Sequence, residues 1–559
     1  MVKKKRILII GGVAGGASCA ARLRRLCESC EITLLDKGEY VSFANCGLPY
    51  YVGNVITERK DLIVAPPERF EQRFNIRVKT RHEVTEIDRQ HKIIRGNNLT
   101  QGGRFELSYD ALVLATGANP VKLPLEGIDL PGIYSLRTIP DSQRLKQAAE
   151  QAQHAVIIGG GFIGLEMVEN LSRQGLHITV IERGDQVMSP LDPEMASYVK
   201  NCLSNNAVTL KLNTQVTAFS KVLGKLQVHC ENQTPIETDM VLLSIGVKPA
   251  SELARQAGLV LGDSGGIRVT AQQKTSDPAI WAVGDVVENE DTVLHNYHPL
   301  PLAGPANRQG RIAAASILES FQPLAQRKQS FRGVQGTAVC KVFEQTIALT
   351  GANEKNLRRN GIPYQAIYLH PGHHVGYFPG AKPIHLKLLY SSSDGTILGA
   401  QAIGEAGVSR RVDVIAMTMQ MGGTVFDLEE AELCYAPQFG AAKDPINLAG
   451  MIAANHLRHD LQLADWRELN RGNYQLLDVR SEAEYQTEHI KHAINIPLEQ
   501  LREKYSVLAK DKPVWVICGV GQRAYYAVRL LIQQGFDVKI LSGGMQTWRT
   551  FCDVGILES

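Results

Sequence analysis

Two glycine-rich strand-to-helix turns, RILIIGGVAGGAS at 6–18 and AVIIGGGFIGLE at 155–166, constrain this chain more than any other feature. In each, a short apolar run hands over through adjacent glycines to helix-like sequence. Glycines at such a turn leave backbone N–H groups open at the helix N-terminus, where a phosphate can approach. Two of these units in one chain imply two nucleotide-binding domains of the parallel βαβ kind. Strand-like and helix-like patterns alternate accordingly through the first ~320 residues.

The second turn is complete. Gly159, Gly161 and Gly164 give G-x-G-x-x-G after AVII, and the next strand, HITVIER (177–183), ends in Glu182, 18 residues beyond Gly164. A carboxylate there accepts hydrogen bonds from ribose hydroxyls and repels a 2′-phosphate, which points to NADH. Arg183 keeps NADPH open, because an arginine at this place can hold the extra phosphate. The first turn has Gly11, Gly12, Gly15 and Gly16, with Val13 and Ala14 between them, and its acidic strand end is Asp36, followed by Lys37.

With 559 residues the chain exceeds a single core of roughly 250–300 residues, so several domains are expected. A net charge of +3 argues against nucleic acid as a partner. The opening MVKKKRILIIGG is basic, but its apolar run is cut by Gly11 and Gly12; it reads as a buried first strand, no stretch is long enough for a bilayer, and a cytoplasmic protein is expected. Ten scattered cysteines are then free or catalytic thiols. The pair Cys27 and Cys30 falls under the same reading, as surface or partly buried thiols.

With these turns, ALVLATGA (111–118, with Thr116 and Gly117) and AVGDVV (282–287, with Asp285) resemble motifs of the two-dinucleotide flavoprotein disulfide reductases, over nearly all of residues 6–455. The resemblance implies FAD on the first unit, nicotinamide on the second, Glu166 near hydride transfer, and Ala303 among the cofactor contacts. The expected architecture is α/β. An FAD-binding domain spans 1–150 and 272–330, an NAD(P)H-binding domain 151–271, an α+β dimerisation domain 331–455 and an α/β rhodanese domain 462–559. A homodimer follows by analogy.

VSFANCGLPYY (41–51) carries Cys46, and no second cysteine occurs before Cys202. One cysteine cannot form an internal disulfide with a near neighbour, so its oxidised state must be a mixed disulfide, a persulfide or a sulfenic acid. The reactive form is the thiolate, which a helix N-terminus and an adjacent flavin would favour. SFANCGLPY resembles the coenzyme A-disulfide reductase group, which includes NADH oxidases and persulfide reductases. That resemblance implies contacts to coenzyme A from Ser18, Arg22, Arg25, Ser42 and Asn45. Asn307 stands where some members have histidine. In YAPQFGAAKDPIN (435–447), Tyr435 would lie near the partner subunit's flavin and Lys443 near coenzyme A. Tyr377 matches a second tyrosine beside the reactive sulfur. His370, His373 and His374 lack an accompanying carboxylate or thiolate and read as a loop leading to Tyr377; no metal is expected.

YQLLDVRSEAEYQTEHIKHAINIPL (474–498) resembles the rhodanese N-terminal signature through Asp478, Arg480 and His489, and LSGGMQTW (541–548) resembles the same domains. VWVICGVGQRAYYAV (514–528) places Cys518 at a turn whose backbone N–H groups wrap the sulfur, with Arg523 adding positive charge. A phosphatase loop would have more residues between Cys and Arg.

The reading is an FAD-dependent NAD(P)H persulfide or polysulfide reductase acting on coenzyme A persulfide through Cys46, with Cys518 carrying sulfane sulfur. Coenzyme A-disulfide reduction, oxygen reduction through a Cys46 sulfenic acid, and a redox-responsive binding protein are the alternatives.

Overall fold

The computed structural model describes residues 4–322, 329–469 and 471–557. The extreme residues of the first and last expected domains (1–3 and 558–559) therefore lie outside the described residues. Two compact units emerge, Met1–Arg183 with Thr214–Val334, and Gly184–Asn213 with Gln335–Ser559.

In the first unit, RILII forms the strand Arg6–Ile10 at the centre of a parallel five-stranded sheet. Its neighbours are Glu31–Leu35 on one side and Ala111–Leu114 on the other, with Arg77–Lys79 and Ile280–Ala282 outermost. Alternation divides the strand between two cores. Ile7 and Ile9 pack with Leu23, Phe70 and Trp281, while Leu8 and Ile10 pack with Ile94, Tyr109 and Val287. Both faces are covered, which is why the run is continuously apolar.

The second glycine turn repeats the plan. His154–Ile158 lies between His177–Ile181 and Met240–Leu243, all parallel. In both sheets the glycine-bearing strand sits where the chain order reverses, the place at which open parallel sheets bind ligands.

The second unit holds two sheets. One is antiparallel, in the order Ala338–Val342, Gln345–Gly351, Ile397–Gly404, Ile384–Tyr390, Gln365–Leu369. The other is parallel, with Gln475–Asp478 and Val514–Ile517 central. Leu477, Val514 and Val516 face one core there, and Leu476, Trp515 and Ile517 the other. The short polar junction expected near 456–465 is packed into this unit. It runs from the helix Pro445–Leu457 to the strand Gln462–Leu463, and Leu461 and Ala464 are buried.

Among the described residues no helix is long and apolar enough to cross a membrane.

The expectation of free thiols fails at one place, because Cys27 and Cys30 form a disulfide. The helix Ala14–Leu26 ends at Cys27, and buried Arg24 donates to the carbonyls of Cys27 and Glu28 at 3.0 and 2.6 Å. That guanidinium fixes the tight exit turn, which brings the two Cα atoms to 5.6 Å, within disulfide reach. Cys19, Cys46, Cys434 and Cys518 are free thiols.

Candidate active sites

At the first glycine turn, Gly11 has φ +100°, and a Cβ on it would lie 2.1 Å from the Ala115 carbonyl oxygen. A Cβ on Gly16 would lie 1.9 Å from the Gly11 oxygen. Only glycine permits this turn, which places Val13 and Ala14 at the start of the helix Ala14–Leu26. Asp36 closes the cradle. Its carboxylate accepts from the N–H of Gly12 at 2.8 Å and of Gly38 at 2.7 Å. Burial raises the Asp36 carboxyl, against those two N–H groups and the charges of Lys37 and Arg137. Glycine turn and carboxylate together fit the adenosine diphosphate half of a dinucleotide.

Asp285 follows Gly284 (φ +83°), whose N–H donates to Gln309 Oε1 at 2.7 Å, so the AVGD turn is held from below by the helix Ala303–Phe321. Burial raises Asp285, and Arg137, 3.7 Å away, opposes that. Arg137, which the sequence did not single out, also reaches Gly117: a Cβ there would lie 2.5 Å from its Nη2. Thr116 Oγ1 donates to the Ala250 carbonyl at 2.8 Å, bracing this crossing.

The second turn has the same geometry. Gly159 (φ +106°) would place a Cβ 2.5 Å from the Ser244 oxygen, and Gly164 one 2.1 Å from the Gly159 oxygen. A Cβ on Gly161 would meet nothing within 4 Å, leaving open space where a pyrophosphate approaches. Glu182 accepts from the Gly160 N–H at 2.9 Å. These residues fit a nicotinamide dinucleotide.

Cys46 sits in a single 3₁₀ turn, Asn45–Gly47, and is exposed, while Cys19 and Cys230 of that unit are buried. The turn is tied back by Ser42 (φ +46°), whose N–H donates to the Gly12 carbonyl at 2.7 Å. Partial removal from water raises the Cys46 thiol, and the carboxylates of Glu166 and Asp285 raise it further. The Cys46 backbone opposes this rise, and the helix Leu48–Val52 begins two residues further on. Burial pushes Glu166 up to about 7, opposed by the Tyr50 hydroxyl, which donates to it at 3.4 Å.

Ser18, Arg22 and Arg25 lie on the helix Ala14–Leu26, and Asn307 on Ala303–Phe321 packed against it. Ser18 Oγ bonds Asn307 Oδ1, whose Nδ2 donates to the Ala303 carbonyl at 2.8 Å. Arg22 is lowered by partial desolvation and then by the like charges of Arg311 and Arg25. Three guanidiniums that repel one another make a place suited to phosphate. Asn45 Oδ1 is buried with no hydrogen-bond partner.

In the second unit, Tyr377 and Tyr435 are exposed and joined hydroxyl to hydroxyl at 2.9 Å; Lys443 is also exposed. The three histidines go to separate partners, His370 to His385 and Thr547, His373 to Lys382, and His374 to the Val375 carbonyl. Asp192, Glu194 and Glu354 form a buried carboxylate group, but the Lys387 ammonium lies among them, 2.7 Å from Asp192 and Glu354. Their cation is this lysine.

Cys518 ends the strand Val514–Ile517 and is buried. Gly521 (φ +101°) donates its N–H to Cys518 Sγ at 3.1 Å, the beginning of an anion-holding nest. Arg523 lies over the loop, since a Cβ on Gly519 would be 3.4 Å from its Nη2. Its charge is not free, however: Glu484 takes both terminal nitrogens at 2.7 Å, and is held down to about 2 chiefly by that pairing. Asp478 and Arg480 pair with each other in the interior at 2.7 Å, and Arg480 donates to the Glu488 carbonyl. They brace both ends of the helix Glu482–Thr487, which carries Glu484. His489 is exposed and stacks on Tyr485.

A fold with two parallel nucleotide sheets and one exposed cysteine beside the first glycine turn defines a two-dinucleotide oxidoreductase acting through sulfur. The family model for pyridine nucleotide-disulphide oxidoreductases matches residues 5–315, and the chain belongs to that family, which uses flavin and nicotinamide cofactors. Its dimerisation-domain model matches residues 337–444, and a rhodanese-like domain model matches 465–550. The coenzyme A disulfide reductase of Staphylococcus haemolyticus is 33% identical over 451 residues, 80% of this chain and 99% of that protein. The crystal structure of reduced CoADR-RHD from Bacillus anthracis is similar over 98% of each chain, at 42% identity and a TM-score of 0.95. An NAD-dependent persulfide reductase from A. fulgidus is similar over 97% of this chain and 100% of its own, at 36% identity and a TM-score of 0.90.

Proposed function

We propose that the chain is an FAD-dependent reductase that uses NADH to reduce coenzyme A persulfide, with sulfane sulfur carried by Cys518. The observation that carries this is Cys46 as an exposed thiol, with Cys19 and Cys230 of its unit buried. It has no internal partner, so the bond it reduces must come from an outside sulfur compound.

Gly11, Gly12, Val13, Ala14, Gly16, Asp36, Lys37, Thr116, Gly117, Asp285 and Ala303 would hold FAD, and Gly159, Gly161, Gly164 and Glu182 the nicotinamide, with NADH favoured by Glu182. The bound flavin supplies a route for two electrons from nicotinamide to sulfur. The remaining steps are the chain's own. Ser18, Arg22, Arg25, Ser42, Asn45, Asn307 and Lys443 would hold coenzyme A. The Cys46 thiolate attacks the sulfur–sulfur bond, and Tyr377 and Tyr435, offered from the second subunit of a homodimer, donate to the departing sulfur. In sum, NADH, a proton and coenzyme A persulfide give NAD⁺, coenzyme A and hydrogen sulfide. Polysulfide would feed the same route through Cys518. A cytoplasmic location suits thiol chemistry of this kind.

A second reading, reduction of coenzyme A disulfide to two thiols, is favoured by the Staphylococcus relative. Its match covers 80% of this chain and 99% of its own. The persulfide reductase spans 97% of this chain and CoADR-RHD 98%, so coverage does not separate the readings; the rhodanese-like C-terminal domain, suited to sulfane sulfur, favours the first.

Anaerobic NADH oxidation by flavin-loaded protein separates them. Faster turnover on coenzyme A persulfide, with one sulfide per NADH, supports persulfide reduction. Preference for the disulfide without sulfide release would replace it with thiol recycling.

A further inference from the structure

The strand Gln365–Leu369 is the edge of the antiparallel sheet, and an edge residue's backbone groups need partners. For Tyr368 a serine of the C-terminal domain supplies them. Its N–H donates to Ser542 Oγ at 2.9 Å, and that hydroxyl donates to the Tyr368 carbonyl at 3.1 Å. The Tyr368 ring is buried in the same apolar cluster as Trp466, Trp548 and Phe551. The C-terminal domain therefore completes its core with a residue of the antiparallel sheet.

Two residues on, His370 Nε2 lies 2.8 Å from Thr547 Oγ1, while its Nδ1 lies 2.9 Å from His385 Nδ1. Thr547 is in the first turn of the helix Gly544–Asp553. That turn holds the sulfur loop, since the Met545 N–H donates to the Cys518 carbonyl at 2.8 Å and the Gln546 N–H to the Gly519 carbonyl at 3.1 Å. With both carbonyls drawn toward the helix, the loop is free to aim N–H groups at the sulfur, as Gly521 does. The packing leaves no slack. A Cβ on Gly543 would lie 2.1 Å from Thr547 Oγ1 and 2.9 Å from His370 Nε2, and one on Gly544 would lie 2.1 Å from the Cys518 oxygen.

We propose that His370, acting through Thr547, is a positioning residue for sulfur transfer at Cys518. The sheet sets the helix turn, and the turn sets the loop. The proposal rests on the reading of Cys518 as a sulfane-sulfur carrier. In that reaction the Cys518 thiolate attacks an end sulfur of a polysulfide, forming one S–S bond and breaking another, and the polysulfide leaves one sulfur shorter with its two negative charges. A thiolate acceptor then takes the outer sulfur, restoring the Cys518 thiolate with no net oxidation.

The test uses the full-length, flavin-loaded protein with inorganic tetrasulfide as donor and coenzyme A as acceptor. His370→Ala and Thr547→Val should each lower kcat for transfer about tenfold or more, with KM within about twofold, as expected for a misplaced loop. The double variant should be no worse than either single one, because the two act through one contact. His370→Gln and Thr547→Ser, which can keep a hydrogen bond, should recover most of the rate. NADH-dependent reduction of coenzyme A disulfide should stay at the wild-type level. Fully additive losses, or unchanged transfer in both single variants, would overturn the positioning role. A wild-type protein that loads no sulfur on Cys518 would instead remove the reading beneath it.

Discussion

Cys46 stands on a single 3₁₀ turn where partial removal from water and then two carboxylates raise its thiol, whereas Cys518 is buried at the end of a strand with a backbone N–H aimed at its sulfur. At the first site both effects raise the thiol, removal from water more than the carboxylates. At the second, the Gly521 N–H is already aimed at the sulfur, a dipole that needs no reorganisation when charge develops. The difference fits two tasks. A thiol that waits for electrons and an incoming substrate gains from staying protonated until both arrive. A sulfur carrier has to stabilise an anion for as long as it holds its cargo. The distance between these designs suggests that the two cysteines do separate chemistry.

The largest expected effect tests that separation. Cys46→Ala should lower NADH-dependent reduction of coenzyme A persulfide at least about 10³-fold, as loss of a nucleophile does. Loading of Cys518 from tetrasulfide, read by intact mass, should be unchanged. Cys518→Ala should do the reverse. Persulfide reduction surviving in Cys46→Ala would dissolve the comparison.

A smaller effect concerns how the second anion is held. Arg523→Met should slow loading of Cys518 about 10²-fold, the scale of losing one oriented donor to a developing anion. Glu484→Gln frees the same guanidinium from its carboxylate and should leave the rate equal or higher. Equal losses in both would show that the ion pair matters only for loop shape, and that the backbone alone carries the charge.

Much of this contrast was legible in the sequence because its chemistry is local. Each glycine turn, its acidic strand end, and the loops around Cys46 and Cys518 occupy a few consecutive residues whose types the backbone geometry demands. What stayed hidden depends on partners far apart in the chain. Arg137 meets Asp285 across 148 positions, and Tyr368 meets Ser542 across 174. Glu484 lies inside a recognised signature, yet nothing in its spacing aims it at Arg523. The Cys27–Cys30 pair was misread for a related reason. Arg24, in the run RLRRL, looks like a solvated helix residue, but it is buried and folds the exit turn that joins the sulfurs. Gly310 is similar, since its tight approach to the Gly15 carbonyl, 2.4 Å from a Cβ, sets the helix pair that carries Ser18 and Asn307.

The smallest effect probes the charge beside Cys46 itself. Burial raises Glu166 to about 7, with the Tyr50 hydroxyl opposing and Glu169 adding to the rise. Above that pH Glu166 is charged and adds to the rise that desolvation gives the Cys46 thiol; below it Glu166 is neutral and its repulsion fades. Glu166→Gln is neutral throughout, so it should lower the Cys46 pKa only where the wild type carries the charge. Alkylation of Cys46 by iodoacetamide, in NADH-reduced holoenzyme without oxygen, should then run about 3- to 10-fold faster in the variant at pH 8. The ratio should fall toward one as the pH drops below 7. A variant slower than wild type at pH 8 would mean that Glu166 assists the thiol as a base. The carboxylates at Cys46 would then be helpers, and the two cysteines would differ only in which groups stabilise the same anion.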